Sequence, residues 1–118
     1  MGKLLIVDDE QDIREFAKNF FMKRKIECLT ASNGREAITL IKNEKPSLVL
    51  LDVRMDEMTG LDVLEKVREF DKTVKVVMVT GVEEKEALEK AKSLGAIAYI
   101  HKPLILEELE KIVMKEMQ

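Results

Sequence analysis

The sequence has one cysteine, no long apolar run and no surplus of basic charge. Because Cys28 is the only cysteine, an internal disulfide and a metal cluster of several cysteines are both excluded, and a reducing compartment suits the chain. No run of apolar residues is longer than five, so neither a signal peptide nor a membrane span is predicted. We therefore expect a cytoplasmic protein.

Charge and length narrow the class of protein further. The 20 basic and 23 acidic residues leave a formal net charge of -3, and lysines are interspersed with glutamates instead of forming a basic stripe. Direct binding of nucleic acid is therefore not expected, and the mixed charges are typical of solvated helix surfaces. With 118 residues and no repeat or linker, the chain is predicted to form one domain over residues 1–118.

Short apolar runs alternate with longer amphipathic segments along the chain. The runs at 4–7, 48–51 and 76–79 have no polar face, which predicts strands covered by helices on both sides of a sheet. The runs at 26–30 and 96–100 are more mixed, and we expect them at the sheet edges.

The segments between these runs have the period of amphipathic helices. Asn33 with Glu36, and Thr59 with Asp62, have the capping pattern that starts a helix, here the second and the third. The apolar face of the first helix is predicted from residues at helical spacing: Ile13, Phe16, Ala17, Phe20 and Phe21.

The fourth and fifth helices are predicted from their ends and their apolar residues. The fourth begins in the acidic stretch 83–84 and ends at Gly95. Ile105 offers no polar cap to the fifth. The buried faces are predicted from Ala87, Leu88 and Ala91 in the fourth helix and from Leu106, Leu109, Ile112 and Val113 in the fifth.

Strands that alternate with helices predict an α/β protein with a doubly wound, five-stranded parallel sheet. Right-handed crossovers restrict the topology, and we expect the strand order 2-1-3-4-5. In that order the ends of the first and third strands meet at the switch point, where open α/β sheets bind ligands.

Polar side chains follow four of the predicted strands at this same edge. Asp8 and Asp9 come after the first strand, Asp52 after the third, Thr80 after the fourth and Lys102 just beyond the fifth. Taken alone, each has an ordinary explanation as a cap, a strand end or a surface lysine. Together they indicate a divalent metal site. Converging carboxylates repel one another without a cation, and hard divalent ions prefer oxygen ligands. Phosphoryl transfer needs an oxygen nucleophile, a metal and hydrogen-bond donors, so Asp52 can attack while Thr80 and Lys102 donate.

Four motifs resemble the receiver domains of two-component response regulators, of the single-domain chemotaxis-regulator type. They are IVDDE at 6–10, LDVRM at 51–55 with Gly60, VTG at 79–81 and YIHKP at 99–103. The resemblance covers essentially the whole chain and implies a flavodoxin-like (α/β)5 fold.

The resemblance also implies a role for each acid. Asp52 would be the phosphoacceptor. Mg²⁺, or Mn²⁺, would be held by Asp9, Asp52 and the backbone carbonyl of Arg54, and Asp8 would act on the metal largely through water.

The same resemblance implies a switch on the other side of the phosphoryl group. Lys102 would contact that group, Thr80 would turn inward to bond it, and Tyr99 would follow as the second half of the switch. The Lys102–Pro103 bond would be a cis peptide, which is accessible only before proline.

A few positions depart from the family pattern or modify it. Asp56 stands where the family usually has proline, which would loosen the loop beside Asp52. Arg54 and Glu83 occupy positions whose side chains tend to modulate phosphoryl lifetime.

The resemblance implies a phosphoacceptor signalling switch that catalyses only its own phosphorylation and dephosphorylation. A histidine kinase or a phosphotransfer protein would phosphorylate Asp52, and the face of helix 4, strand 5 and helix 5 would change its affinity for a downstream target or output domain. A stand-alone regulator, a relay intermediate and a receiver cut from a longer regulator all remain open, as does a phosphorylation-dependent homodimer.

Two other classes of function are alternatives to a signalling switch. The carboxylates alone would permit a magnesium-dependent phosphohydrolase, but short loops leave no lid over a substrate. A flavin module is the other alternative, and acids in the first loop disfavour it because a phosphate would need backbone donors there.

Overall fold

The computed structural model describes residues 2–55, 57–81 and 85–117. Within these ranges, five parallel strands form one sheet in the order β2-β1-β3-β4-β5. The strands are β1 (Lys3–Val7), β2 (Glu27–Ala31), β3 (Leu48–Asp52), β4 (Lys75–Thr80) and β5 (Ala98–His101). The helices that connect or follow them are α1 (Gln11–Met22), α2 (Gly34–Glu44), α3 (Gly60–Phe70), α4 (Lys85–Ser93) and α5 (Leu106–Glu116). The predicted strand order and fold class are confirmed.

Helices cover both faces of the sheet and divide the core in two. On one face α1 and α5 pack against the sheet, with Phe21 and Leu109 fully buried between them and the strands. On the other face α2, α3 and α4 contribute Ile41, Leu64 and Ala91. Because β1, β3 and β4 are enclosed on both sides, their side chains are almost all buried. This explains why the three central runs show no polar face.

Both edge strands begin later than the sequence predicts, because the residues before them complete the preceding helices. The backbone N–H of Ile26 donates to the carbonyl of Phe21 and so closes the end of α1. The N–H of Ala96, which lies beyond the end of α4, likewise donates to the carbonyl of Ala91 inside that helix. Gly95, between them, has a φ of +82°. These residues therefore complete the preceding helix turns, and the strands start after them.

The predicted helix starts are confirmed where the structure describes them. The Asn33 side chain accepts a hydrogen bond from the N–H of Glu36 at 2.9 Å. Thr59 and Asp62 form a reciprocal capping box at the start of α3, and Ile105 provides no side-chain cap for α5. The predicted start of the fourth helix at 83–84, and the departures at Asp56 and Glu83, lie outside the described residues.

Some predictions of buried residues are wrong. Phe16 is 63% exposed, because α1 turns its Ala17 and Phe21 side toward the sheet and leaves Phe16 at the rim. Ala87 and Leu88 are only half-buried, and Ala91 is the buried residue of the described part of α4. No helix among the described residues combines the length and the apolar character that a bilayer span requires.

Candidate functional site

Three carboxylates meet at the carboxyl edge of the sheet. Asp52 ends β3, and Asp8 and Asp9 directly follow β1, its neighbour in the sheet. One oxygen from each carboxylate lies within 4.8 Å of the other two. Asp8 and Asp52 are 3% and 2% exposed, whereas Asp9 faces solvent. Two of these acids are therefore shielded from water. Burial is the situation in which a carboxylate without a cation costs the most free energy.

An ammonium group lies beside the two buried carboxylates. The Nζ of Lys102 is 3.0 Å from Oδ2 of Asp52 and 3.4 Å from Oδ2 of Asp8. The backbone N–H of Lys102 donates to the carbonyl of Thr80 at 2.8 Å, which extends the β4–β5 pairing by one step. That pairing places Lys102 at the site, although it is 50 residues from Asp52 in sequence. The Lys102–Pro103 peptide bond is cis.

Burial and the neighbouring Lys102 act in opposite directions on the pKa of Asp52. Burial raises the pKa of the Asp52 carboxyl above its ordinary value, and the hydrogen bond from Lys102 only partly offsets this. For Lys102, burial lowers the pKa, but the hydrogen bond and charge of Asp52, with the charge of Asp8, outweigh burial and raise it. The lysine therefore stays charged, while the site still carries more negative charge than the lysine can neutralise.

Backbone groups hold the acids in their loops. The N–H of Arg54 donates to Oδ1 of Asp52 at 3.1 Å, and the N–H of Glu10 donates to Oδ1 of Asp8 at 2.9 Å. Each carboxylate thus closes the tight turn that follows its own strand. These hydrogen bonds leave Oδ2 of both acids directed toward Lys102.

Gly60 is needed where α3 begins against the end of β3. A Cβ atom at this position would lie 2.2 Å from the carbonyl oxygen of Asp52 and 2.9 Å from Cα of Val53. The N–H of Gly60 also donates to the carbonyl of Val53 at 2.9 Å. Only a residue without a side chain permits this approach, so Gly60 fixes where α3 meets the site.

Thr80 and Tyr99 occupy different environments. Thr80 ends β4, is 4% exposed and pairs with His101 of β5. Tyr99 is half-buried on the α2–α4 side of the sheet, and its hydroxyl donates to the carbonyl of Leu88 in α4 at 3.0 Å. Burial raises the pKa of the Tyr99 phenol, which keeps it a hydrogen-bond donor. The structure thus connects Tyr99 to helix α4.

An apolar groove lies beside the site, between α1 and the start of α5. Its volume is about 740 Å³, and Phe16, Ile105 and Lys102 are among the residues that line it. Phe16 and Ile105 are 63% and 52% exposed. The groove explains why a large apolar residue of α1 is not part of the core.

Arg14 was not predicted from the sequence, yet it contacts this site. Its Nη1 atom donates to the carbonyl oxygen of Asp8 at 2.7 Å. An arginine in an amphipathic helix has no pattern that distinguishes it from a surface residue, so only the packing of α1 shows this contact. The closeness of Gly60 to Asp52 is likewise a tertiary feature.

The cluster suits a hard divalent cation. Asp8, Asp9 and Asp52 bring three negative charges, and Lys102 brings one positive charge. Burial raises the pKa of the Asp52 carboxyl and the charge of Asp8 raises it further, so added positive charge beside this carboxylate would favour its ionised form. Carboxylate oxygens are the ligands that Mg²⁺ and Mn²⁺ prefer.

Comparison with known proteins identifies the family. Residues 4–114 match the model of the response regulator receiver domain. The chain belongs to this family. As a receiver domain of two-component response regulators it is a signalling domain, and this assignment does not support the alternative of a small phosphohydrolase.

Similar proteins include short and long chains. The chain is 33% identical over 113 residues to sporulation initiation phosphotransferase F of Bacillus subtilis, covering 96% of this chain and 91% of that protein. It is 36% identical over 118 residues to the regulatory protein AtoC of Escherichia coli, covering 100% of this chain but only 26% of that protein.

The solved structure of a response regulator protein shares the whole fold. The response regulator protein TrrA of Thermotoga maritima, solved in complex with Mg(2+)-BeF, is 31% identical, with a TM-score of 0.88. The match covers 98% of this chain and 99% of that one.

Proposed function

We propose that Asp52 accepts a phosphoryl group from a histidine kinase or a phosphotransfer protein, and that residues 1–118 form one cytoplasmic receiver domain. The observation that supports this is the environment of Asp52. Its carboxylate is 2% exposed, accepts the N–H of Arg54 on one oxygen and lies 3.0 Å from the ammonium of Lys102 on the other. A nucleophile held in this way is positioned before a donor arrives.

The proposal includes a divalent cation, Mg²⁺ or Mn²⁺. Asp9, Asp52 and the backbone carbonyl of Arg54 would hold it, and Asp8 would act on it largely through water. The three carboxylates belong to one cluster, and Arg54 follows the end of β3. When bound, such an ion supplies positive charge to phosphoryl oxygens. The complex of the related TrrA with Mg(2+)-BeF supports this part of the proposal.

The phosphoryl transfer is a single displacement at phosphorus. A carboxylate oxygen of Asp52 forms the new O–P bond while the P–N bond to the donor histidine breaks, and the electron pair of that bond returns to the imidazole. Lys102 donates to the phosphoryl oxygens, and the Thr80 hydroxyl turns inward to do the same. In the separate dephosphorylation reaction water attacks phosphorus, the O–P bond to Asp52 breaks with its electron pair returning to the carboxylate, and inorganic phosphate leaves. The domain is therefore proposed to catalyse only its own phosphorylation and dephosphorylation.

The hydrogen bond between Tyr99 and α4 supports a switch on the α4–β5–α5 face. Movement of Thr80 toward a phosphoryl group would free space beside β5, and Tyr99 would follow it. The Tyr99 hydroxyl bonds the carbonyl of Leu88 at 3.0 Å, so a change at Tyr99 would reach α4. That face would bind a downstream target, an output domain or a second copy of the chain, according to the phosphorylation state.

The test is intact-mass analysis after incubation with acetyl phosphate, with and without Mg²⁺. We expect one magnesium-dependent phosphoryl adduct on the wild type and none on Asp52→Asn. The control is Asp12→Asn, which removes the same charge from an exposed position in the first turn of α1 and should be labelled like the wild type. A full adduct on Asp52→Asn would contradict the assignment of the acceptor.

A further inference from the structure

The peptide group that joins Asp8 to Asp9 is held by a charged side chain. The carbonyl oxygen of this group accepts a hydrogen bond of 2.7 Å from Nη1 of Arg14, a half-buried residue of α1. Hydrogen bonds from an ionised donor are shorter and stronger than those between neutral groups. This one crosses from α1 back to the loop that carries two of the three clustered acids.

The two acids are held to different extents by the rest of the loop. The N–H of Asp8 donates to the carbonyl of Ala31 at 3.2 Å, and its Oδ1 accepts the N–H of Glu10 at 2.9 Å. Asp8 is thus fixed through the sheet and its own turn. Asp9 is exposed, and its position depends on the orientation of the peptide that precedes it. Arg14 donates to the oxygen of that peptide, and this hydrogen bond restrains the orientation of the peptide.

We propose that Arg14 is a positioning residue of the cation site: by fixing the Asp8–Asp9 peptide, it sets the affinity of the three carboxylates for Mg²⁺. This inference rests on the proposed function, because it assumes that the carboxylates bind a divalent ion. Arg14 is not proposed to contact the ion. Its guanidinium acts through the backbone, as groups behind the ligands of a metal site do.

A second effect of Arg14, its positive charge, acts in the opposite direction. A cation near the carboxylates lowers the local negative potential and so weakens their attraction for Mg²⁺. Removal of Arg14 would therefore strengthen Mg²⁺ binding if charge alone mattered, and weaken it if the position of the peptide matters. The sign of the change separates the two effects.

The experiment is isothermal titration of Mg²⁺ into the full chain without any phosphodonor. The variants are Arg14→Met, which keeps the apolar stem, and Arg14→Lys, which keeps the charge and one donor group. Lys18→Met is the matched control, because it removes the same charge from the same helix one turn later. The thermal midpoint of each metal-free protein shows that the variants are folded when they are titrated.

We expect Arg14→Met to bind Mg²⁺ about ten-fold more weakly than the wild type, in the range found for groups behind metal ligands. Arg14→Lys should recover part of that loss, and Lys18→Met should bind as the wild type does. Unchanged or tighter binding by Arg14→Met would overturn the proposal. If Arg14→Met does not fold, full wild-type affinity in Arg14→Lys would overturn it, since lysine lacks the planar guanidinium.

Failure of this inference can be distinguished from failure of the proposed function. If the wild type binds Mg²⁺ and Arg14→Met binds it equally well, the positioning role is wrong and the cation site stands. If the wild type itself binds no Mg²⁺, the cation site is wrong and the role of Arg14 fails with it. The intact-mass experiment on Asp52→Asn tests the acceptor separately.

Discussion

The Nζ atom of Lys102 lies 3.0 Å from Oδ2 of Asp52, two residues that the strand order brings together from opposite halves of the chain. The same Nζ is 3.4 Å from Oδ2 of Asp8. One ammonium therefore neutralises part of the charge on both buried carboxylates. A divalent ion at these acids would compete with that ammonium for the same oxygens.

This competition predicts opposite effects of Lys102→Met on metal binding and on phosphorylation. Without the ammonium, Mg²⁺ should bind several-fold more tightly, because the carboxylates lose their internal counterion. Labelling by acetyl phosphate should fall by at least about ten-fold, because a donor for the developing negative charge is lost. Calorimetric titration and intact-mass time courses measure the two effects.

The control for Lys102→Met is Lys115→Met in the last turn of α5, which is exposed and should change neither quantity. Weaker Mg²⁺ binding by Lys102→Met would show that the lysine organises the carboxylates and does not compete with the ion.

Asp52→Asn should stabilise the metal-free protein. Burial raises the pKa of Asp52, so the native state holds this proton more tightly than the unfolded chain. The contribution of Asp52 to stability is therefore fully present below its pKa in the unfolded chain and is lost as the pH rises through its pKa in the folded protein. At neutral pH the ionised carboxylate consequently lowers the stability of the fold. We expect a higher thermal midpoint for the variant than for the wild type at pH 7, and the difference should shrink in acid.

Two comparisons check the origin of this stabilisation. Saturating Mg²⁺ should stabilise the wild type more than Asp52→Asn and so reduce the difference. Asp12→Asn should have little effect, because that acid is exposed. A lower thermal midpoint for metal-free Asp52→Asn than for the wild type would mean that the hydrogen bonds which the Asp52 carboxylate accepts from Lys102 and Arg54 outweigh the cost of its burial.

The main features of the fold and the acidic cluster could be predicted because they depend on local patterns. A run such as Leu48–Asp52 is apolar because both of its faces are covered, and a residue that directly follows a parallel strand has only one edge at which to lie. Asp8, Asp52 and Lys102 meet for that reason. The fold then follows from the order in which the strands are connected.

Features that depend on packing could not be predicted in the same way. Phe16 and Phe21 have the same helical spacing pattern, yet Phe21 is buried and Phe16 is exposed, because the position of α5 decides which side of α1 is covered. Arg14 contacts the carbonyl of Asp8 for the same tertiary reason. The edge strands start late because Ile26 and Ala96 complete helix ends, a competition that apolar patterns do not show.

Gly60→Ala should destabilise the protein and disturb the site. The added Cβ would lie 2.2 Å from the carbonyl oxygen of Asp52, so α3 or the end of β3 must move. We expect a loss of about 1–3 kcal/mol in the free energy of unfolding, as for other overpacked positions, measured by urea denaturation. The matched control is Gly81→Ala, whose Cβ would have its nearest contact with Cδ of Lys102 at 3.9 Å. A similar loss in both variants would contradict the steric explanation.

The Cys28 thiol should react slowly in the native protein at pH 8. Burial raises its pKa to about 11, and the residue is 8% exposed. Because the thiolate is the reacting form, alkylation by iodoacetamide should accelerate until the pH approaches about 11, instead of levelling off near the ordinary value of 9.0. The same chain in urea should react rapidly at pH 8. A native rate equal to that in urea would show that the thiol is accessible.

Arg68 should be among the largest single contributors to stability outside the apolar core. Its Nε donates to the carbonyl of Leu94 at 2.7 Å, and its Nη1 donates to Val74 at 2.8 Å and to Asp71 at 3.2 Å. The side chain thereby connects the end of α3 with the start of β4 and the end of α4. No single ammonium can reproduce this arrangement.

Arg68→Met should therefore lower the free energy of unfolding by about 2–3 kcal/mol, because backbone carbonyls lose a charged donor. Arg68→Lys should recover less than half of this loss. The matched control is Lys66→Met, an exposed change of the same charge in the same helix, with an expected effect within about 0.5 kcal/mol. Urea denaturation of the three variants decides the matter: an equal loss in Arg68→Met and Lys66→Met would mean that helix charge, and not the bonds to Leu94 and Val74, is responsible.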